Sequence, residues 1–316
     1  MSFFKVLIAL GYLFLLSACD NTPKPEKTVN LAPEGLFSAA LSKQYALIST
    51  SKSNAELWQL KPKKLLHTWQ HTDENNGIIA LDISDNEQYA ITAERNSIAW
   101  WRISDGKLLT IWSLPGITHV SLSATGDFAL IGLHDEKAIY FALQYGKTLY
   151  AFPHQDIITT TALSANGKYA LTGSDDGEAK LWELSAGKLT HSWKNPTKLS
   201  VAALSADGKY ALTNAALGLT QIWNTQKGKL SKQIGPKLMT LTSAKFSKNS
   251  KYLITARTAQ RIDLWRVKTG KNIKHWRLVT GEEWPSAATI LALSFTSNEK
   301  KFYSITSKGI LQRWRK

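Results

Sequence analysis

The sequence predicts an all-β fold: a seven-bladed β-propeller of four-stranded antiparallel blades, closed by an N-terminal strand in the last blade. A sequence repeat predicts this fold. A turn, an aromatic residue, a short apolar strand and a second aromatic residue recur seven times, every 39 to 50 residues. The lead aromatics are Tyr45, Tyr89, Phe128, Tyr169, Tyr210, Tyr252 and Phe302, and the later ones are Trp58, Trp101, Tyr140, Trp182, Trp223, Trp265 and Trp314. A fixed period of this length is typical of radial repeats.

Each repeat contains four short apolar runs separated by turn residues. In the fourth repeat these runs are residues 160–163, 169–172, 179–184 and 189–193, and Asn-Gly-Lys, Asp-Asp-Gly and Ala-Gly-Lys lie between them. Glycine and asparagine at this spacing are typical of β-hairpins. We therefore expect four antiparallel strands, a to d, in every blade.

The ends of the chain predict how the ring closes. The seventh repeat stops at Lys316, just after its strand c, so it lacks a strand d of its own. Counting back from the first turn, residues 28–31 occupy the place of a strand d. We expect this segment to complete the last blade, which gives a single propeller domain over residues 28–316 without a long exposed edge.

The fourth repeat resembles the WD-repeat β-propellers. Residues 174–177, Ser-Asp-Asp-Gly, end at Trp182 as in that family, and His154 lies where the family has a histidine. The resemblance implies a side-chain hydrogen-bond network of His154, Ser174 or Thr172, Asp176 and Trp182. No repeat has Trp-Asp itself, and none of the others has a histidine at the spacing of His154, so we expect most blades to lack this network.

The N-terminus predicts a lipoprotein signal peptide at residues 1–18. A short positive start, residues 1–5, precedes an apolar run of 11 residues and then Leu-Ser-Ala-Cys, which ends at Cys19. A spanning helix needs about 20 apolar residues, so a transmembrane segment is the weaker interpretation. Cys19, the only cysteine of the chain, is the predicted site of lipidation, with palmitate among the attached chains, and no intrachain disulfide can form.

Residues 19–27 are predicted to be the lipidated cysteine and a polar tether with two prolines. Asp20 after the modified cysteine resembles the signal that retains bacterial lipoproteins in the inner membrane. We therefore expect attachment to the periplasmic side of the inner membrane, with the outer membrane as the alternative.

Positive charge is concentrated near the C-terminus: residues 225–316 contain 20 Lys plus Arg against 4 Asp plus Glu. The a–b and c–d turns of a propeller share one face, the bottom face, and many of its turns contain lysine. The candidate membrane-facing residues are Lys229, Lys248, Lys251, Lys271, Lys300 and Lys301. We expect a basic bottom face and an acidic top face, unless Gly-Lys is simply a soluble turn choice.

Catalytic and cofactor motifs are missing from the sequence. No histidine pair has metal-ligand spacing on a helix, and neither a Gly-x-Ser-x-Gly elbow nor a phosphate-binding loop is present. We expect no enzyme activity, no metal and no cofactor. Nucleic acid is a poor candidate despite the basic charge, because the repeat already uses most aromatics and the protein is predicted to be exported.

The long connection between blades 6 and 7, residues 277–289, is the predicted partner site. Glu282, Glu283 and Trp284 lie in it, and a tryptophan outside the repeated columns is a candidate interface anchor, although it can also fold over its own blade. We expect a monomeric, non-catalytic scaffold that binds an envelope protein. The alternatives are an accessory lipoprotein of outer-membrane or envelope assembly and, less favoured, a propeller enzyme or small-ligand binder.

Overall fold

The computed structural model describes residues 23–71, 77–278 and 288–316, and these residues form 28 β-strands and no helix. The strands are β1 Lys27–Asn30, β2 Leu36–Leu41, β3 Tyr45–Thr50, β4 Asn54–Leu60, β5 Lys63–Gln70, β6 Ala80–Ile83, β7 Tyr89–Ala93, β8 Ser97–Arg102, β9 Leu108–Ser113, β10 Ile117–Leu122, β11 Phe128–Leu133, β12 Lys137–Ala142, β13 Lys147–Pro153, β14 Ile158–Leu163, β15 Tyr169–Ser174, β16 Glu178–Glu183, β17 Lys188–Lys194, β18 Leu199–Leu204, β19 Tyr210–Ala215, β20 Gly218–Asn224, β21 Lys229–Met239, β22 Leu241–Phe246, β23 Tyr252–Arg257, β24 Arg261–Arg266, β25 Lys271–Arg277, β26 Ile290–Phe295, β27 Lys301–Thr306 and β28 Ile310–Arg315.

The strands form seven four-stranded antiparallel sheets, which confirms the predicted propeller. Blades 1 to 6 each consist of four consecutive strands. Blade 1 is β2–β5, and the series continues to blade 6, which is β22–β25. Blade 7 combines β26, β27 and β28 with β1, in which Lys27 pairs with Arg313 and Asn30 with Ile310. The N-terminal strand therefore closes the ring as expected, one residue earlier than predicted. Since the inner strands β2, β6, β10, β14, β18, β22 and β26 contact one another in succession, they surround a central channel.

The later aromatics of the repeat, in strand c, stack on aromatic residues in strand d of the preceding blade. Trp101 of blade 2 stacks on Trp69 of blade 1, with ring centroids 5.0 Å apart, and Trp223 stacks on Trp193 at 4.8 Å. Stacked aromatic pairs contribute about 0.5–1.5 kcal/mol beyond their buried area. The period seen in the sequence is therefore the period of the blade interfaces.

Trp100, which the repeat leaves unassigned, belongs to the same core. It is 9% exposed and packs with Ile91, Ile98 and Phe141 between blades 2 and 3. Its ring lies 5.1 Å from that of Tyr89. Successive strand residues face opposite sides of a sheet, so adjacent tryptophans in β8 serve the interfaces on either side of blade 2.

Candidate functional site

A buried hydrogen-bond chain crosses blade 4. The indole N–H of Trp182 donates to the Thr172 hydroxyl at 2.9 Å, and that hydroxyl lies 2.8 Å from His154 Nε2. His154 Nδ1 lies 2.9 Å from an Asp176 carboxylate oxygen, which can only accept, so Nδ1 carries the proton. Burial lowers the pKa of His154 despite this carboxylate, and the neutral ring therefore accepts the threonine proton at Nε2.

Thr172, and not Ser174, is the hydroxyl that links His154 to Trp182. Ser174 lies at the end of β15, where its hydroxyl donates to the Asp156 carbonyl at 2.9 Å and accepts the Asp176 N–H at 3.1 Å. Ser174 thus holds the turn that presents the aspartate. The residues implied by the resemblance lie together, but the serine supports the turn instead of joining the chain from tryptophan to histidine.

Blade 2 contains a similar chain built on His71, a histidine that does not have the spacing of His154, and a serine takes the place of the aspartate. His71 Nε2 lies 2.8 Å from the Thr92 hydroxyl, which also accepts from the Trp101 indole at 2.8 Å. His71 Nδ1 lies 3.0 Å from the Ser97 hydroxyl. The histidine precedes the serine of its next turn by thirteen residues instead of ten, and this longer connection hid it from a count of spacing.

Three further blades keep only the pair of tryptophan and hydroxyl. Indole N–H groups donate to a strand b hydroxyl at 2.8–2.9 Å in the pairs Trp223 to Thr213, Trp265 to Thr255 and Trp314 to Ser304. Buried polar groups are costly unless paired, so this recurring bond stabilises the blades. These networks are structural, and a ligand site has to be sought on the surfaces of the ring.

The bottom face receives the N-terminal segment. Glu26, directly before β1, accepts from Lys301 Nζ at 2.6 Å and from Arg313 Nε at 3.2 Å. The hydrogen bond with Lys301 is the main cause of the lowered pKa of Glu26, while burial opposes it. The end of the predicted tether is therefore held beside the turns of blade 7.

All six lysines proposed to face a membrane lie on the bottom face. Lys229 and Lys271 begin strands d, Lys248 and Lys251 lie in the a–b turn of blade 6, and all four are exposed. Lys300 is exposed in the next a–b turn. Lys301 differs, because it is partly buried and its amine is engaged by Glu26.

The bottom face is not uniformly basic, which corrects the expectation of one basic and one acidic face. Acidic side chains also lie in its turns, at Asp85, Glu87, Asp105, Asp127, Asp207 and Glu299. Several tie neighbouring turns together: Glu87 accepts from the backbone and side chain of Gln44, and Glu299 accepts the Lys248 N–H. The basic surface is therefore an arc over blades 5 to 7.

The central channel opens on this face into a cavity of about 410 Å³. Lys245 of β22 extends across the mouth towards Asp85 of blade 2, with Nζ 3.9 Å from the carboxylate. The attraction of Asp85 raises the pKa of Lys245. Asp82, deeper on β6, accepts the N–H groups of Leu122 and Ile83 at 2.8 Å, and burial raises its pKa to about 6.

Uncharged polar side chains also lie on the inner strands. His119 Nδ1 is 2.8 Å from the Thr161 hydroxyl, which lies 2.9 Å from that of Ser121, and burial lowers the pKa of His119 to about 4. Small residues such as Ala40 and Ala203 occupy equivalent inner positions. The inner strands thus contain both small and polar side chains.

Residues 146–183 match the family model described as WD domain, G-beta repeat. The matched segment includes all four members of the hydrogen-bond chain in blade 4. Together with the seven four-stranded blades, the match supports a WD-repeat β-propeller. No curated protein matches the chain. Propellers of this repeat are typically non-catalytic scaffolds for protein interactions, and the geometry fits that general role.

Several predicted site residues of this propeller fall outside the described residues, namely Cys19, Glu282, Glu283 and Trp284. Within residues 23–71, 77–278 and 288–316, no three His, Cys, Asp or Glu side chains gather as a metal site would require. No helix in those same ranges has the length and apolar character to cross a bilayer.

Proposed function

We propose that this protein is a non-catalytic interaction scaffold, tethered by lipid to the periplasmic side of the bacterial inner membrane. The observation that carries the proposal is the sequence Leu-Ser-Ala-Cys at the end of an apolar run of 11 residues, with Cys19 as the lipidated residue. The WD-repeat fold supports the scaffold role, and Asp20 supports the inner membrane.

The contacts of Glu26 support a defined orientation. Because that residue is held beside blade 7, the tether leaves the propeller on its bottom face. The six residues between Cys19 and Glu26 reach about 20 Å when extended, so the bottom face stays close to the bilayer. Each lysine near an anionic surface contributes about 1 kcal/mol, which favours contact through the basic arc of blades 5 to 7. The top face is then free for an envelope partner.

Lipidation is tested with Cys19→Ser in bacteria grown with labelled palmitate. We expect the full-length chain to incorporate label and to sediment with membranes, and the variant to lose both properties. Asp20→Ser serves as a matched variant that keeps the thiol; it should keep the label and move to the outer-membrane fraction of a density gradient. The tether is contradicted if the wild type incorporates no label, or if Cys19→Ser still sediments with the membranes.

The scaffold role is tested by crosslinking in intact cells followed by mass spectrometry of the captured proteins. We expect one envelope protein to be recovered with the wild type and lost with Trp284→Ala, while the thermal unfolding midpoint stays unchanged. Glu178→Ala, on the top face away from that connection, is the control. Equal recovery with both variants would remove Trp284 from the proposed interface, and recovery of no protein at all would contradict the scaffold.

A further inference from the structure

The bottom mouth of the channel combines an apolar wall with opposite charges. Its wall is formed by the last residues of inner strands, Leu41, Ile83, Leu163, Leu204, Phe246 and Phe295. The cavity volume of about 410 Å³ lies within the range of small-molecule sites, roughly 300–1,000 Å³. Such sites combine apolar surface with placed polar groups. This mouth has both, because polar and charged residues of the a–b turns surround the apolar strand ends.

The charged pair at the mouth has unused hydrogen-bonding capacity. Lys245 Nζ and the Asp85 carboxylate are 3.9 Å apart, which is too long for a hydrogen bond, and the two side chains are 50% and 49% exposed. Among the described residues, neither group hydrogen-bonds to another protein group. An ammonium offers three donors and a carboxylate two acceptor oxygens, so both remain available side by side.

Most of the other charged groups at the mouth are already engaged. Lys43 donates to the backbone carbonyl of Asp85 at 3.1 Å, and Glu87 and Glu299 accept N–H groups of neighbouring turns. Asp82 lies deeper and accepts two backbone N–H groups. Lys248 at the rim also has an ammonium without a protein partner, but Lys245 and Asp85 are the two opposite charges among the described mouth residues that lie side by side without a hydrogen bond.

We propose that this mouth binds a small zwitterion of the α-amino-acid class with an apolar side chain. The ligand carboxylate accepts from Lys245, its ammonium donates to Asp85, and its side chain lies against the apolar wall. A ligand with one charge would separate the pair and leave one member without a partner, which costs affinity. The site does not depend on the lipid tether.

Calorimetric titration of the full-length chain in detergent tests the proposal, with L-leucine, L-phenylalanine and the dipeptide Leu-Leu as probes. Leucinamide lacks the carboxylate and N-acetyl-leucine lacks the ammonium. We expect at least one zwitterion to bind, and each singly charged analogue to bind about tenfold more weakly or worse. Absence of binding by all three zwitterions, or equal affinity for zwitterions and analogues, would overturn the proposal.

Two variants assign the contacts. Lys245→Met should weaken zwitterion binding about tenfold and abolish the discrimination against leucinamide, and Asp85→Asn should do the same for N-acetyl-leucine. Lys251→Met, an exposed bottom lysine outside the cavity, is the matched control and should bind as the wild type does. Asp85 lies in an exposed turn, so its variant still decides the matter if Lys245→Met fails to fold. Unchanged discrimination in folded variants contradicts the assignment.

Discussion

The Thr172 hydroxyl is predicted to stabilise blade 4 more than its equivalent stabilises blade 5. Thr172 and Thr213 are both fully buried, and each accepts an indole N–H at 2.9 Å. Only Thr172 also pairs with a histidine, His154, at 2.8 Å. Replacing either threonine with valine keeps the shape of the side chain and removes the hydroxyl, so the main difference between the two substitutions is the histidine contact; Thr172 also lies 3.4 Å from the Lys180 carbonyl.

The expected magnitudes follow from the groups left unpaired. A buried donor or acceptor without a partner costs about 1–3 kcal/mol. Thr213→Val leaves the indole N–H of Trp223 without a partner and should lower the free energy of unfolding by about 2 kcal/mol. Thr172→Val leaves both the indole N–H of Trp182 and a ring nitrogen of His154 without partners. It should lower the free energy of unfolding by about 4 kcal/mol. The difference of about 2 kcal/mol is the predicted effect of the histidine.

Urea unfolding followed by tryptophan fluorescence and circular dichroism measures both variants against the wild type. Coincident transitions from the two probes are required before free energies are compared. Equal destabilisation by the two substitutions would refute the reasoning, because His154 would then add nothing to the bond between tryptophan and hydroxyl.

Three further predictions concern closure, a turn and pH. Removing residues 1–31 deletes β1 and should lower the unfolding midpoint and broaden the transition, whereas removing residues 1–22 should not; equal melts would refute closure by β1. Gly309 has φ +74° and an added Cβ would overlap the Ala32 carbonyl, so Gly309→Ala should cost about 2 kcal/mol or more in urea unfolding. Gly167→Ala, at φ +69° in open space, should cost only about 1 kcal/mol, and equal losses would contradict the overlap. Because folding raises the pKa of Asp82 to about 6, its proton stabilises the fold near pH 4, and this contribution of up to about 3 kcal/mol is lost as the pH rises through 6. Asp82→Asn should remove that component from urea midpoints measured between pH 4 and 7, and parallel profiles would contradict it.

Local patterns were enough to predict the architecture. Alternating apolar residues, Asn-Gly and Ala-Gly turns and the recurring tryptophan act within one blade, so a single repeat contains the information for its own four strands. The count of repeats and the place of residues 28–31 then predicted the closed ring. His154, Asp176 and Trp182 were expected from the resemblance of the fourth repeat to the WD repeats, within which all three lie.

Contacts between distant segments were decided only by the tertiary structure. Thr172 and Ser174 lie two residues apart on one strand and share a face, so spacing could not tell which hydroxyl meets His154. His71 was not recognised from its spacing, because the connection that follows it is longer and a count of residues does not show which strands are neighbours. Lys245 and Asp85 belong to blades 6 and 2, and only the curvature of the closed ring brings their charges to one channel mouth. The sequence by itself determined the blades and their number, whereas the ring decided which side chains face one another, because long-range proximity depends on how the blades pack and not on their order.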